Sequence, residues 1–298
     1  SDGSTDGTAT AADIGDARVR VLALPENAGK ASAINAALAN IDSELVAFTD
    51  ARQRFDPRAL RALVAPFTDP AVGAVSGELL IHPAGEGKDA GAHSVGLYWK
   101  MEKRLRFDEA RLGWLHGVSG AVYALRRVHF RPLPPGTILD DMWVPLQVVM
   151  AGKRVWMARD AIAHDQASSV AGEEFRRKLR TLAGNWQLVA RLPALLDPVN
   201  NPVFFAWASH KFLRLVVPWA LLSALVASAL AWGWFYRLAF VLQLVAYGAA
   251  ILALWLPAIA RRVPLLPAAG TFLMLNLAAL VSLPAALALD PTRLWKKH

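Results

Sequence analysis

The chain has 298 residues, a formal net charge of +8, no cysteine and 55% hydrophobic residues. The lack of cysteine excludes disulfides and cysteine-based zinc sites. The basic residues are scattered along the chain, so their charge suits anionic lipid and a diphosphate better than nucleic acid, which we do not expect as a partner.

The first 80 residues alternate strand and helix patterns, which predicts a mostly parallel α/β sheet with right-handed crossovers. The expected strands are 18–24, 45–49 and 72–80, and the expected helices are 29–39 and 57–67. Ligands of such sheets lie beyond the carboxyl ends of the strands. The glycine-rich turn that opens the chain follows no strand, so we expect that the first strand of the domain has been lost.

The α/β pattern continues to residue 185, where we place the end of the domain. Residues 1–80 would form its nucleotide-binding half and residues 81–185 its acceptor half. The expected elements of the second half are an exposed loop at 82–93, a charged helix at 95–109, a glycine-rich segment at 113–120, strands at 121–125 and 155–163, and helices at 138–151 and 173–191.

The last third of the chain is apolar, with no Asp or Glu between Leu213 and Leu289. Each of its three hydrophobic stretches is long enough to cross a hydrocarbon core of about 30 Å. They lie near 213–235, 238–258 and 264–289, within a predicted membrane region of residues 213–298. Buried helices of a soluble protein are the alternative, but these rarely occur as three successive segments separated only by arginines.

Two features bear on how the chain meets the membrane. Residues 186–212 combine prolines with apolar and aromatic side chains, which predicts an amphipathic segment in the membrane interface. The third hydrophobic stretch either spans the bilayer or is broken at Pro284 and turns back.

The opening turn carries the first chemical motif, Asp2, Gly3 and Ser4. A carboxylate at a strand end can accept hydrogen bonds from a base or a ribose, and glycine permits close approach of the backbone. An ordinary structural turn is the alternative interpretation.

A second and a third motif bring a cation and an acid to the same sheet edge. Lys30 follows Gly29 at a predicted helix start, where phosphate binds; capping by Asn27 is the alternative. Asp50 ends a buried strand and could hold Mg²⁺ or Mn²⁺, which prefer oxygen ligands. A second acid two positions later would strengthen this prediction, but Arg52 stands there.

Asp140 and Asp141 form a fourth motif at the start of a helix. Adjacent carboxylates repel each other, so one of them should have a raised pKa and could act as a general base toward a hydroxyl group. An N-cap is the alternative.

A fifth motif, the basic run 176–180 followed by Trp186, could clamp a departing diphosphate or face a membrane surface.

In their order along the chain, these motifs resemble glycosyltransferase family 2, in particular its inverting, membrane-integral branch of cellulose, hyaluronan, chitin and poly-N-acetylglucosamine synthases. The matching segments are DGSTDGT at 2–8, Asn-x-Gly-Lys-x-x-x-Ile-Asn at 27–35, the strand that ends in Asp50, Val-Ser-Gly-Glu at 75–78, Gly-Ala-Val-Tyr-Ala-Leu-Arg at 120–126, the acidic pair, the basic helix and the carboxyl-terminal spans. The resemblance implies a GT-A fold followed by interfacial and transmembrane helices.

The resemblance also implies roles for individual residues. Asp141 would be the catalytic base with Asp140 beside it, Asp50 would bind the metal ion, and Gly120 and Trp186 would bind the acceptor. The donor nucleotide-sugar would contact Asp2, Gly3, Ser4, Lys30, Asp50, Arg52 and Arg180.

The implied function is transfer of a sugar from a UDP-sugar to a saccharide or lipid-linked acceptor, with a divalent cation, at the cytoplasmic face of a bacterial inner membrane. Exopolysaccharide or cell-envelope glycan synthesis would be the setting, and accessory subunits of a polysaccharide export system would be further partners. Arg52 departs from the family's Asp-x-Asp, and the Gln-x-x-Arg-Trp signature is reduced to residues 177–181. These departures favour two alternatives: a single transfer, or a non-catalytic membrane scaffold. With its first strand lost, the fragment itself could be inactive.

Overall fold

A computed structural model describes residues 1–82, 91–166, 171–260 and 262–288. The described chain forms two compact units, the first made of residues 1–82, 91–166 and 188–207 and the second of residues 171–187 and 208–288. The predicted interfacial segment 186–212 is thus divided between the two units. Most of the predicted loop at 82–93 lies outside the described residues, as does the basic tail.

The secondary structure of the first unit alternates helices and strands. Its strands are β1 (Leu45–Phe48), β2 (Arg54–Phe55), β3 (Val72–His82), β4 (Tyr123–Arg126) and β5 (Arg154–Gln166). Its helices are α1 (Thr8–Ala12), α2 (Lys30–Ala39), α3 (Ala59–Val64), α4 (Gly91–Leu112) and α5 (Asp140–Met150). These elements confirm the predicted α/β architecture.

The sheet is mixed, with strand order β1-β4-β3-β5-β2. Strands β1, β3 and β5 run in the same direction, but β4 is inserted antiparallel between β1 and β3. Of the neighbouring strands, only β3 and β5 are therefore parallel. Leu63 and Phe67 cover one face of the sheet by packing on the hydrophobic cluster around Val75.

The predicted strand at 18–24 is wrong. This segment forms one parallel bridge, between Asp2 and Leu24, and is otherwise irregular. Its further backbone contacts to the chain start are the bonds from Leu24 N–H to the carbonyl of Ser1 and from the Ser1 amino group to the carbonyl of Leu22. Alternating side chains alone do not make a strand, because a strand also needs a neighbour along its whole length.

One row of paired residues crosses three strands, and its middle residue, Tyr123, interacts electrostatically with the acidic pair. Phe48 on β1 is paired with Tyr123 on β4, which is paired in turn with Ser76 on β3. The Phe48 and Tyr123 rings are stacked in parallel planes with their centroids 4.3 Å apart. The pairing and the stacking together hold the Tyr123 side chain in place between its neighbouring strands.

Long helices dominate the second unit. The basic helix α6 (Ala171–Arg191) begins there. The short helix α7 (Phe204–Trp207) is the last part of the first unit, and a π-helical turn connects it to α8 (Leu213–Leu230) of the second unit. The remaining helices are α9 (Trp234–Trp255), α10 (Pro257–Ala260) and α11 (Leu266–Ala288). Three helical stretches, Phe204–Leu230, Trp234–Trp255 and Leu266–Leu287, are long and apolar enough to cross a membrane. Because α11 continues through Pro284, the alternative of a break at this proline is wrong.

Small and polar side chains join these helices. Gly270 on α11 lies so close to α9 that a β-carbon there would approach that of Ala253 to 3.1 Å. The Gln243 amide donates to the hydroxyl of Ser228 at 3.1 Å, which links α9 to α8. Close backbone approach and buried amide bonds are the usual means of packing apolar helices in lipid.

Candidate active site

The acidic pair occupies the first turn of α5. The N-cap is Leu139, so neither carboxylate is the capping residue that the alternative interpretation required. The Asp140 side chain is only 6% exposed, whereas Asp141 is half-buried. The positive end of the helix dipole favours both negative charges at this position.

A proline within α5 ties the acidic pair to the preceding glycine-rich segment. Pro145 has no N–H, so the carbonyl of Asp141 lacks its usual helical partner four residues later. The N–H of Val118 donates to this carbonyl instead, at 3.0 Å. As a result Gly120 lies against Asp141, where an added β-carbon would come within 3.2 Å of the aspartate β-carbon.

Lys30 lies between two carboxylates that are distant in sequence. Its Nζ is 3.2 Å from Oδ1 of Asp50 and 3.1 Å from Oδ2 of Asp140. The contact to Asp140 is a charge contact without hydrogen-bond alignment, so this buried oxygen accepts no hydrogen bond from the described residues. Burial opposes the charge of Lys30, but Asp140 and then Asp50 outweigh it and raise the pKa of the ammonium.

Tyr123 interacts electrostatically with these acids. Its hydroxyl has no hydrogen-bond partner among the described residues. Only 1% of the residue is exposed. Burial first, and then the charges of Asp140, Asp141 and Asp50, raise the pKa of Tyr123 well above its usual value. The phenol is therefore neutral, and its O–H is available as a donor.

Arg106 on α4 also binds the glycine-rich segment. Arg106 donates to the carbonyl of Gly117 at 3.2 Å and to the Ser76 hydroxyl at 3.3 Å. The same hydroxyl accepts from the N–H of Ser119 at 3.0 Å. Burial lowers the pKa of Arg106, while Glu102 and Asp141 act in the opposite direction.

The opening turn is bound to the start of α2. Both oxygens of Asp2 accept backbone N–H groups at 2.8 Å, one from Ala28 and the other from Gly29. Asn27 donates to the Asp2 carbonyl and thus does not cap the helix. The N–H groups of Ala28 and Gly29, which precede the helix, are therefore occupied by Asp2, and binding of phosphate by Lys30 remains a prediction.

Glycine is sterically required in the same turn. Gly3 has φ +62°, and a β-carbon there would be 2.4 Å from the backbone nitrogen of Asn27. Ser4 is exposed. The contacts of Asp2, Gly3 and Ser4 with a nucleotide remain predictions.

Arg52 points its charge away from Asp50. Its guanidinium is 3.0 Å from Oδ2 of Asp165 on β5, and the Gln53 amide donates to the same oxygen at 2.9 Å. Arg52 is 69% exposed, whereas Asp165 is 9% exposed. The departure from Asp-x-Asp therefore adds an ion pair between the loop after β1 and the end of β5.

Asp50 and Asp140 fit a divalent cation only in part. They supply the oxygen ligands that Mg²⁺ and Mn²⁺ prefer, and Oδ2 of Asp140 is a buried acceptor that no hydrogen bond occupies. The described residues contain no group of three or more His, Cys, Asp and Glu side chains placed to hold a metal ion. A cation would thus need further ligands from a diphosphate or from water.

Two predicted site residues lie on the part of α6 that belongs to the second unit. The Trp186 indole donates to the hydroxyl of Ser282 on α11 at 3.1 Å. Arg180 lies less than two turns earlier on the same helix. Binding of the acceptor by Trp186 and of the diphosphate by Arg180 remain predictions.

Sequence reasoning missed three supporting side chains: Tyr123, Arg106 and Asn35. The Asn35 amide makes two hydrogen bonds to the backbone of Leu133, at 2.8 and 2.9 Å, and so fixes the loop that leads to α5. Asn35 is the last residue of the nine-residue motif at 27–35, and this position could have marked it as a residue that supports the site.

Residues 1–133 match the model of the family described as Glycosyl transferase family 2. Over these residues the chain is similar to glycosyltransferase family 2. None of the curated proteins matches the sequence.

One solved structure shows the same fold. The mannosyltransferase PcManGT from Pyrobaculum calidifontis, solved in complex with GDP-Man and Mn²⁺, is 24% identical, with a TM-score of 0.68 over 96% of this chain and 76% of that chain. This likeness confirms the GT-A-like α/β fold. Glucosyl-3-phosphoglycerate synthase from Mycobacterium tuberculosis, solved with Mn²⁺, UDP-glucose and phosphoglyceric acid, is 20% identical over 63% of this chain and 65% of that chain, with a TM-score of 0.40.

Proposed function

We propose that the chain is an inverting glycosyltransferase that moves a sugar from a nucleotide-diphosphate donor to a saccharide or lipid-linked acceptor at a membrane. The observation that carries this proposal is the cluster of Lys30, Asp50, Asp140 and Asp141, called the inner cluster below. It joins an acid after β1, a cation at the start of α2 and two acids at the start of α5. An acid pair beside a single cation suits transfer chemistry in which a proton and a diphosphate must both be handled.

In the proposed reaction, Asp141 accepts the proton of the acceptor hydroxyl while its oxygen attacks the anomeric carbon. The bond from that carbon to the donor phosphate breaks on the opposite face, which inverts the configuration, and the electron pair leaves with the nucleoside diphosphate. Lys30 and Arg180 offset the charge of the leaving group. When bound at Asp50, a divalent cation would supply further positive charge there.

The donor nucleotide and the setting are also proposals. The proposal of a UDP-sugar donor rests on the resemblance of the motifs. The mannosyltransferase of similar fold was solved in complex with GDP-Man. The test therefore includes both UDP-sugars and a GDP-sugar. The three apolar helices support a place in the bacterial inner membrane, with the first unit in the cytoplasm and exopolysaccharide or envelope glycans as products.

The test is turnover of the purified chain in lipid vesicles with Mn²⁺ and a panel of UDP-glucose, UDP-N-acetylglucosamine and GDP-mannose. We expect release of the nucleoside diphosphate from one donor together with a glycosylated lipid or saccharide whose anomeric configuration is inverted. A polymer ladder would indicate processive synthesis, and one added sugar would indicate single transfer. Release from none of the donors would favour the non-catalytic scaffold, which Arg52 also favours.

Sidedness can be tested with thiol labelling because the chain has no cysteine of its own. A cysteine placed at the exposed residue Asp160 of the first unit should react with an impermeant reagent only from the cytoplasmic side. Labelling from the opposite side would contradict the proposed topology.

A further inference from the structure

The inner cluster already contains a cation where a metal ion would bind. The ammonium of Lys30 is within 3.2 Å of one oxygen of Asp50 and within 3.1 Å of one oxygen of Asp140. Those carboxylates are also the described ligands that best suit a divalent cation at this site. Lys30 and a metal ion therefore compete for the same two side chains.

The charges of the site explain why a lysine is needed there. Asp140 is nearly buried, and a buried carboxylate without a compensating cation is strongly unfavourable. Arg52, the nearest cation in sequence to Asp50, is paired with Asp165 instead. Among the described residues, Lys30 is therefore the cation that contacts both acids.

Lys30 also stands where a diphosphate would draw it away. It is the first residue of α2, and Asp2 occupies the N–H groups of Ala28 and Gly29 that precede it. A phosphate that approaches this helix start would meet the ammonium together with the backbone N–H groups of the first helical turn, and the ammonium is the charged donor among them. Once the ammonium turns to phosphate, Asp50 and Asp140 are left without their cation.

We propose that Lys30 is a positioning residue that holds Asp50 and Asp140 in place of a divalent cation until the donor diphosphate binds, so that metal and donor bind cooperatively. This inference rests on the proposed function for the identity of the diphosphate ligand. It differs from that proposal in its measurable claim, which concerns the binding of the metal alone. Removal of Lys30 should strengthen metal binding, whereas removal of an ordinary supporting lysine should not.

The experiment measures Mn²⁺ affinity of the full chain by electron paramagnetic resonance, without donor or acceptor. Lys30→Met and Lys30→Gln should each bind Mn²⁺ at least about tenfold more tightly than the wild type, since a competing charge has gone. Lys103→Met is the matched control, because Lys103 pairs with Glu78 and is similarly exposed, 31% against 33% for Lys30. It should leave the affinity unchanged. A smaller gain in both Lys30 variants, or an equal gain in Lys103→Met, would overturn the proposal.

A second measurement uses the wild-type chain and so does not depend on how the variants fold. Acylation of lysines by acetic anhydride, mapped by mass spectrometry, should become faster at Lys30 when Mn²⁺ displaces it, and slower again when UDP or GDP is added with the metal. Lys103 serves as the internal control. An unchanged rate at Lys30 with Mn²⁺ bound would overturn the proposal. Neither measurement includes sugar transfer. Failure of this inference would therefore leave the proposed function standing, and a lack of sugar transfer would leave the two metal-binding results standing.

Discussion

Two charged residues on the loop after β1 have opposite surroundings, although they are two positions apart. Asp50 faces inward to Lys30 and belongs to the inner cluster with Asp140 and Asp141. Arg52 faces outward to Asp165, a contact called the rim pair here. One charge of the loop is thus placed for chemistry and the other for holding the loop to β5.

The sharpest test of this contrast is Asp141→Asn. The amide keeps the size of the side chain but cannot accept the proton of the acceptor, so transfer should fall by about 10²- to 10⁴-fold. Asp160→Asn is the control, since Asp160 is an exposed carboxylate of the same unit outside the inner cluster. Rates of nucleoside diphosphate release in vesicles measure both. Undiminished turnover in Asp141→Asn would refute its role as the base.

The elements themselves followed from local pattern. An alanine-rich run predicted α2, and apolar strand patterns predicted β1 and β3, each to within about two residues. The failed strand at 18–24 and the inserted antiparallel strand β4 depend on which segments become neighbours. Periodicity within one segment carries no information on that choice.

For the site, the residue types could be predicted but their partners could not. Lys30, Asp50 and the acidic pair stood out in the sequence, yet the ammonium that bridges Asp50 and Asp140 exists only once α2, β1 and α5 meet. The Gln53 and Asp165 side chains are 112 positions apart. Pro145 was a readable signal: a proline inside a helix frees one carbonyl, and here that carbonyl is the one of Asp141.

Gly120→Ala tests whether the inner cluster needs its exact spacing. Its added β-carbon would press on Asp141 at 3.2 Å, so the aspartate must move by a few tenths of an ångström. We expect the rate of transfer to fall by roughly ten- to a hundredfold while the chain stays folded. Gly248→Ala on α9 is the control, because nothing lies within 4 Å of the added carbon. Circular dichroism checks folding, and equal rates in the two variants would contradict the claimed contact.

Arg52→Met removes one partner of the rim pair. Because this pair lies outside the inner cluster, we expect a smaller effect on transfer than that of Gly120→Ala. Arg52 is mostly exposed, so a double-mutant cycle with Asp165→Asn should give a coupling below about 1 kcal/mol in the free energy of unfolding. The KM for the donor should rise a few fold as the loop loosens, with little change in kcat. If Arg52→Met instead reduced kcat as much as Asp141→Asn does, the guanidinium would belong to the donor site, as the sequence predicted.

Tyr123→Phe should have the smallest effect, and its sign is informative. The ring keeps its stacking on Phe48, while the hydroxyl, which has no partner among the described residues, is removed. A buried polar group without a hydrogen bond is costly, so we expect the thermal midpoint of the purified chain to rise slightly, by an amount equivalent to about 1 kcal/mol. Tyr236→Phe, whose residue is 46% exposed, should leave it unchanged. A fall of the midpoint in Tyr123→Phe would mean that the hydroxyl is hydrogen-bonded in solution. Tyr123 would then support the inner cluster with a bonded hydroxyl group as well as with its aromatic ring.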